Sequence, residues 1–149
     1  MGHTYTRLLY HIVYSTKERT PLLAGVWSQR MHEYLGGITR NLKGTPIQIG
    51  GVADHVHLFV QLPPTIAVSE AVNKLKSNSS GWINEQSDFR EKFAWQEGYA
   101  AFSVSENRVD ETIRYIQAQD AHHAHKFFAD ELREFLAKNG MMMDERDLV

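Results

Sequence analysis

The sequence contains no cysteine. This absence excludes disulfide bonds, thiolate metal sites and cysteine nucleophiles, so any bound metal ion would have nitrogen and oxygen ligands. The chain also lacks an apolar run of the roughly 18 to 20 residues that a membrane helix needs, and its N-terminus lacks the layout of a signal peptide. We therefore expect a cytoplasmic protein with no membrane partner.

The net charge is also small. Sixteen Lys and Arg against 18 Asp and Glu give a net charge of −2, which argues against a general polyanion binder but not against a local basic groove. The 149 residues, 42% of them hydrophobic, suit one globular domain with an ordinary core. We expect that single domain over the whole chain, with a C-terminal extension from about residue 130.

The hydrophobic patterns predict an α+β protein. Tyr, Val and Ile runs bounded by turn residues indicate strands, and apolar residues spaced three or four apart indicate helices. Strands are predicted at 4–17, 47–52, 55–62 and 99–105, and helices at 25–42, 67–86 and from 106 onward. The first six elements match the ferredoxin-like β-α-β-β-α-β arrangement, an antiparallel sheet with two helices on one face. The last helix is additional to it.

Two histidines interrupt the apolar strand "HVHLFVQL". Side chains alternate in a strand, so His55 and His57 share one face with their Cα atoms roughly 6.6 Å apart. A helix-backed sheet face does not readily accept two polar rings in succession. We interpret the pair as ligands of a metal ion or a phosphate, against the alternative of hydrogen-bonded core histidines.

The last predicted helix carries a tyrosine away from its apolar stripe. Val109, Ile113 and Ile116 form that stripe, whereas Tyr115 lies more than 100° from it, with Gln119 four residues further on the same side. A carboxamide oxygen is an acceptable ligand for a hard cation beside two imidazoles. If this helix packs across the sheet, it delivers a nucleophile and a third ligand together.

Three further histidines follow this tyrosine helix. His122, His123 and His125 are candidates to bind phosphate, to assist proton transfer from Tyr115, or only to balance the negative end of the helix dipole. We favour the more modest of these roles.

These motifs together resemble the HUH single-tyrosine transposases, the IS200/IS605-like family, which includes the transposases associated with repetitive extragenic palindromes. The resemblance rests on "DHVHLFV", "YIQAQ", "AHHAH" and "GYAAFSVS", and extends from residue 10 to about residue 125. The final 20 or so residues carry no motif from which we infer a function.

The resemblance implies a metal-dependent endonuclease and strand transferase that acts on single-stranded DNA in transposition. It makes His55, His57 and Gln119 the ligands of Mg²⁺ or Mn²⁺, and Tyr115 the nucleophile that forms a 5′-phosphotyrosine. It also implies a homodimer, hairpin-bearing single-stranded DNA as the partner, and a location at the nucleoid of a bacterial or archaeal cell.

Such an enzyme needs a basic surface for DNA. Lys74 and Lys76 in "NKLKSNSS" are the densest candidates, and Arg7, His122 and His123 are further ones. Lys17 and Arg19 are available to extend the same surface. Each of these side chains is equally open to the alternative of a solvated surface charge.

Three rival functions are compatible with this expected fold. RNA-recognition domains use the same sheet to stack bases on strand aromatics, but the strands here lack their aromatic and glycine signature. A protein derived from a transposase could also bind nucleic acid without cleaving it. A third reading is a hydrolase in which the histidines activate water and Tyr115 only orients the substrate.

Overall fold

In the computed structural model, residues 2–123, 126–144 and 146 are described. Four strands form one antiparallel sheet with the spatial order β2-β3-β1-β4. The strands are β1 (Leu8–Ser15), β2 (Thr45–Val52), β3 (His55–Leu62) and β4 (Ala100–Ser103). This strand order and the α+β class confirm the predicted ferredoxin-like arrangement.

The helices divide between the two faces of the sheet. The first two, α1 (Val26–Asn41) and α2 (Val68–Asn84), pack on one face over the larger core. The second runs unbroken through Gly81, because the apolar spacing of the helix outweighs the roughly 1 kcal/mol cost of one interior glycine. None of the helices in the described part of the chain is both long and apolar enough to cross a membrane.

The alternation along β3 separates a core face from a polar one. Val56, Leu58 and Val60 point into the core under α1 and α2. His55 and His57 point to the opposite face, and all five side chains are fully buried. The predicted shared face of the two histidines is therefore confirmed, and both lie on the side away from the two large helices.

The C-terminal region differs from the single helical region that the sequence predicts. It forms three helices, α3 (Val109–Gln117), α4 (Gln119–His123) and α5 (Phe128–Lys138). The break between the first two lies at Ala118, whose N–H donates to the Arg114 carbonyl at 3.1 Å and also contacts the Tyr115 carbonyl at 3.3 Å. The mixed bonding tightens the last turn of α3, so Tyr115 and Gln119 lie on two short helices that meet at a bend.

Candidate metal and tyrosine site

The tight turn between β2 and β3 places the two histidines beside the tyrosine helix. Val52 pairs with His55 across a two-residue loop, Ala53-Asp54. At Gly51, with φ +148°, a Cβ would lie 2.2 Å from the His55 carbonyl oxygen, so only glycine permits this close return of the chain. The loop thus starts β3 in the register that buries both imidazoles.

Each imidazole has a partner at Nδ1 that fixes the orientation of its ring. Asp54 Oδ1 accepts a hydrogen bond from His55 Nδ1 at 2.7 Å. His57 Nδ1 lies 2.8 Å from Nε2 of His11, a buried side chain of β1. Both rings therefore present Nε2 to the same space, as they do in metal sites where a neighbour holds the other ring nitrogen.

Helix α3 reaches this space because β2 carries a glycine beneath it. A Cβ at Gly50 would lie 2.8 Å from Ile116 Cγ2 and 2.9 Å from the Ile116 carbonyl oxygen. This close approach seats Ile116 against Leu9 and Phe59 on the polar face of the sheet. Tyr115, the neighbour of Ile116, therefore faces the histidines of its own chain.

Glu131 of α5 lies at the centre of the site. Its Oε1 accepts from His57 Nε2 at 2.9 Å and lies 3.4 Å from His55 Nε2. Its Oε2 accepts from Gln119 Nε2 at 3.1 Å and from the Tyr115 hydroxyl. The carboxylate, 1% exposed, thereby joins both histidines, the glutamine and the tyrosine.

The donor atoms have the spacing of a metal site. His55, His57, His123 and Glu131 could hold an ion, since one ligand atom from each lies within 4.8 Å of the others. Gln119 Oε1 is also 3.1 Å from His55 Nε2. With metal–ligand bonds of about 2.1 Å, adjacent donors around an octahedral ion are about 3 Å apart, so this cluster could hold a divalent cation.

Burial and the carboxylates of Asp54 and Glu131 set the charges of the site. Burial disfavours the charged form of His55, but its hydrogen bonds to Asp54 and Glu131 raise its pKa to about 9. Burial lowers the pKa of His57, against the effect of Glu131. Although burial opposes ionisation of Glu131, hydrogen bonds from both histidines hold its pKa far below the usual range. The carboxylate is therefore ionised.

The tyrosine is protonated for the same reasons. Burial raises the pKa of Tyr115 above its ordinary value, and the hydrogen bond to the ionised Glu131 raises it further. His11 is neutral, because burial and then the neighbouring His57 lower its pKa to about 3. Any reaction that uses Tyr115 Oη as a nucleophile must therefore remove its proton.

Of the predicted DNA-binding residues, His123 lies in the site, where its Nε2 is 3.1 Å from Glu131 Oε2. Arg7 is exposed and pairs with Glu106 at 2.8 Å. Lys74 is exposed on α2, on the opposite face of the sheet. The side chain of His122 and all of His125 lie outside the described residues.

Lys76 has a structural role that the sequence did not suggest. Its Nζ donates to the carbonyls of Gln96 at 2.9 Å and Gly98 at 2.5 Å. It also lies 5.1 Å from the centre of the Tyr14 ring. The ammonium therefore ties α2 to the loop before β4, and its contact with DNA stays a prediction.

Three residues of the site were missed by the sequence reasoning. Asp54 lies between the predicted strands 47–52 and 55–62, His11 lies within the predicted strand 4–17, and Glu131 lies in the C-terminal residues that carry no motif. A signal did exist for His11, which shares a strand face with Leu9 and alternates with the core residue Ile12. Glu131 offered no such signal, because acidic residues are common on helices.

The chain matches the family model described as "Transposase IS200 like" over residues 4–119. It is 28% identical over 131 residues to the transposase for insertion sequence element IS200 of Salmonella typhimurium, covering 80% of this chain and 84% of that protein. It is also 28% identical over 123 residues to the ISDra2 transposase TnpA of Deinococcus radiodurans, covering 79% and 87% of the two chains.

Two solved structures have the same fold. A putative transposase from Deinococcus radiodurans superposes with a TM-score of 0.59 and 23% identity over 80% of this chain and 96% of that one. A REP-associated tyrosine transposase bound to a REP hairpin superposes with a TM-score of 0.61 and 13% identity, covering 83% and 73% of the two chains. At these identities the likeness concerns the fold.

Proposed function

This chain belongs to the IS200-like transposase family, and on that basis we propose that it cleaves and rejoins single-stranded DNA through Tyr115. Family membership itself supports an enzymatic role in transposition. The proposal adds the substrate, hairpin-bearing single-stranded DNA at the nucleoid, and the covalent mechanism. The convergence of the Tyr115 hydroxyl with His55, His57 and Gln119 on one carboxylate is the observation that carries it.

In the proposed reaction, Tyr115 Oη forms a bond to the phosphorus of a DNA phosphodiester. The bond from phosphorus to the 3′ oxygen breaks, and that oxygen takes up a proton to become a free 3′-OH. The 5′ end stays attached as a phosphotyrosine, which conserves the bond energy for rejoining. Because the pKa of Tyr115 is raised, its proton must leave as the new bond forms.

We assign the metal to Mg²⁺ or Mn²⁺, held by His55, His57 and Gln119. Bound there, a divalent ion would polarise the phosphate and neutralise the charge that develops on it. Asp54 and His11 would keep the two imidazoles oriented, and their two-residue spacing in β3 would keep them side by side.

The family also implies a homodimer, and we propose one for this chain. In the described structure Tyr115 lies beside His57 of its own chain, with ring centres 5.7 Å apart. A dimer is therefore not needed to bring the tyrosine and the histidines together. Sedimentation of the protein with and without hairpin DNA would test the assembly independently of catalysis.

The test of the mechanism is covalent capture. The protein is incubated with Mn²⁺ and labelled single-stranded hairpins from the DNA that flanks its gene, and the products are separated on a denaturing gel. We expect a shifted, protease-sensitive band with the parent protein and with Tyr5→Phe, whose tyrosine is 90% exposed. Tyr115→Phe should give no such band, and a band from that variant would exclude Tyr115 as the nucleophile.

One observation favours the alternative of a hairpin-binding protein without cleavage activity. The side chains of His55, His57 and Gln119 are at most 1% exposed, so DNA does not reach them in this conformation. Hairpin binding by the parent protein, with no covalent band in any divalent metal, would establish that alternative.

A further inference from the structure

Helix α5 lies beyond residues 4–119, the part of the chain that the family model matches. One face of this helix nevertheless covers the site. Phe128, Glu131 and Phe135 project from that face, at the spacing of three and four residues that aligns side chains on a helix. The site of this chain therefore includes an element for which the family match gives no counterpart.

Phe128 and Phe135 of α5 cover the imidazoles and the tyrosine. The Phe128 ring stacks on the His55 ring, with centres 4.4 Å apart and planes at 29°. Phe135 stacks on Phe102 at 5.7 Å and meets the Tyr115 ring edge-on at 5.2 Å. These contacts hold the helix over the imidazoles and the tyrosine.

Glu131 fills the space where, under the proposed function, a phosphodiester would bind. Its two oxygens contact both histidine Nε2 atoms, the Gln119 amide, the His123 imidazole and the Tyr115 hydroxyl. A non-bridging phosphate oxygen is likewise an anionic oxygen donor, so it would bind the same ion and the same N–H groups. The carboxylate and the phosphate cannot occupy this space together.

We propose that Glu131 is an exchangeable ligand: it binds the metal ion while α5 covers the site, and it is displaced when a DNA phosphodiester enters. This inference rests on the proposed function, because it assumes that DNA is bound at this site. The C-terminal helix then both strengthens metal binding in the DNA-free protein and competes with DNA.

The first measurement is Mn²⁺ binding to the full-length chain, followed by the electron paramagnetic resonance signal of the free ion. Glu131→Ala should weaken Mn²⁺ binding by about tenfold or more, since even neighbours of metal ligands contribute that much. Asp130→Asn is the matched control, because Asp130 is exposed on the same helix and pairs with Arg133. Its Mn²⁺ affinity should equal that of the parent.

The second measurement is binding of a fluorescein-labelled, single-stranded oligonucleotide at saturating Mn²⁺. All chains carry Tyr115→Phe so that no cleavage occurs. Adding Glu131→Ala should tighten binding by about threefold or more, because the apparent affinity is reduced by the fraction of chains in which the site is covered. Asp130→Asn should have no effect.

A third variant keeps the carboxylate and loosens the helix. Phe135→Ala removes the contacts with Phe102 and Tyr115, so it should also tighten oligonucleotide binding, with a smaller loss of Mn²⁺ affinity than Glu131→Ala. It keeps the inference testable if Glu131→Ala fails to fold, which circular dichroism would reveal.

Two outcomes would overturn the inference. Unchanged Mn²⁺ affinity in folded Glu131→Ala would show that Glu131 is not a ligand. Weaker Mn²⁺ binding with unchanged or weaker oligonucleotide binding in both variants would make Glu131 a permanent ligand rather than an exchangeable one. Neither readout requires cleavage, so a failure of covalent capture, which would reject the proposed reaction, is recognised separately.

Discussion

His11 Nε2 lies 2.8 Å from His57 Nδ1, so a side chain of β1 fixes the orientation of an imidazole on β3. When His57 Nε2–H donates to Glu131, Nδ1 accepts a hydrogen bond from His11. A metal ion on Nε2 would require the proton to be on Nδ1, with His11 as the acceptor. His11 can fill either role because its pKa, lowered to about 3, keeps it neutral.

We therefore expect His11→Phe to weaken Mn²⁺ binding about tenfold, the lower end of the effect of removing a partner of a ligating histidine. Isothermal titration calorimetry with Mn²⁺ measures this change. His11→Gln, whose amide can still accept or donate a hydrogen bond, should lose less. Equal losses in the two variants would show that packing, rather than the hydrogen bond, is what His11 provides.

Gly50 sets the distance between β2 and the tyrosine helix. Gly50→Ala places a methyl group under 3 Å from Ile116, so α3 must shift away, and we expect a loss of about 1–3 kcal/mol in the free energy of unfolding. Covalent capture by Tyr115 should fall in parallel. Urea unfolding and the capture gel are the two measurements.

The matched control for this change is Gly81→Ala. No atom lies within 4 Å of the added methyl at this exposed position of α2, so helix propensity alone should raise stability by about 1 kcal/mol. Opposite signs for the two substitutions are expected. A neutral Gly50→Ala with full activity would mean that the contact with Ile116 does not position Tyr115.

Lys74 and Lys76 are two residues apart on α2. Substituting each in turn should distinguish an effect on DNA binding from an effect on stability. Lys76→Met leaves the Gln96 and Gly98 carbonyls without their donor, so we expect it to destabilise the fold by about 1–3 kcal/mol. Lys74 is exposed, so Lys74→Met should leave the unfolding midpoint unchanged.

If Lys74 contacts a phosphate, Lys74→Met should also lower the slope of log affinity against log salt by about 0.7–0.9. Fluorescence anisotropy with labelled hairpin DNA at several salt concentrations gives that slope. An unchanged slope would remove Lys74 from the predicted DNA surface.

His32 of α1 should make the protein sensitive to acid. Burial lowers its pKa to about 4, and the charge of Asp120 opposes that shift only in part. Between pH 6.5 and 4 the unfolded chain therefore binds a proton that the folded chain does not, so stability falls as the pH falls through this window and levels off below it.

The measurement is the urea midpoint at pH 7.0, 5.5 and 4.5. His32→Leu should show a smaller decline than the parent, whereas His3→Leu, at an exposed position, should follow the parent. His11 contributes with the same sign, so the decline should be reduced rather than abolished. An identical decline in all three proteins would contradict the assignment to His32.

The positions of α1 and α2 and the two faces of β3 were readable from the sequence because both depend on local geometry. Successive strand residues alternate sides, so His55 and His57 had to share a face opposite Val56 whatever the rest of the chain did. Likewise, four-residue spacing kept Tyr115 and Gln119 on one side of their helical region, even though a bend at Ala118 divides it.

The tertiary structure alone decided which side chains complete the site. Glu131 meets His57 across 74 residues and His11 meets it across 46, and no periodicity links such positions. Those contacts depend on how strands pair and on which face of α5 docks, which is settled by the packing of Phe128 and Phe135 rather than by local preference. A carboxylate on a short amphipathic helix is ordinary in sequence, and only its burial among five polar partners marks Glu131 as part of the site.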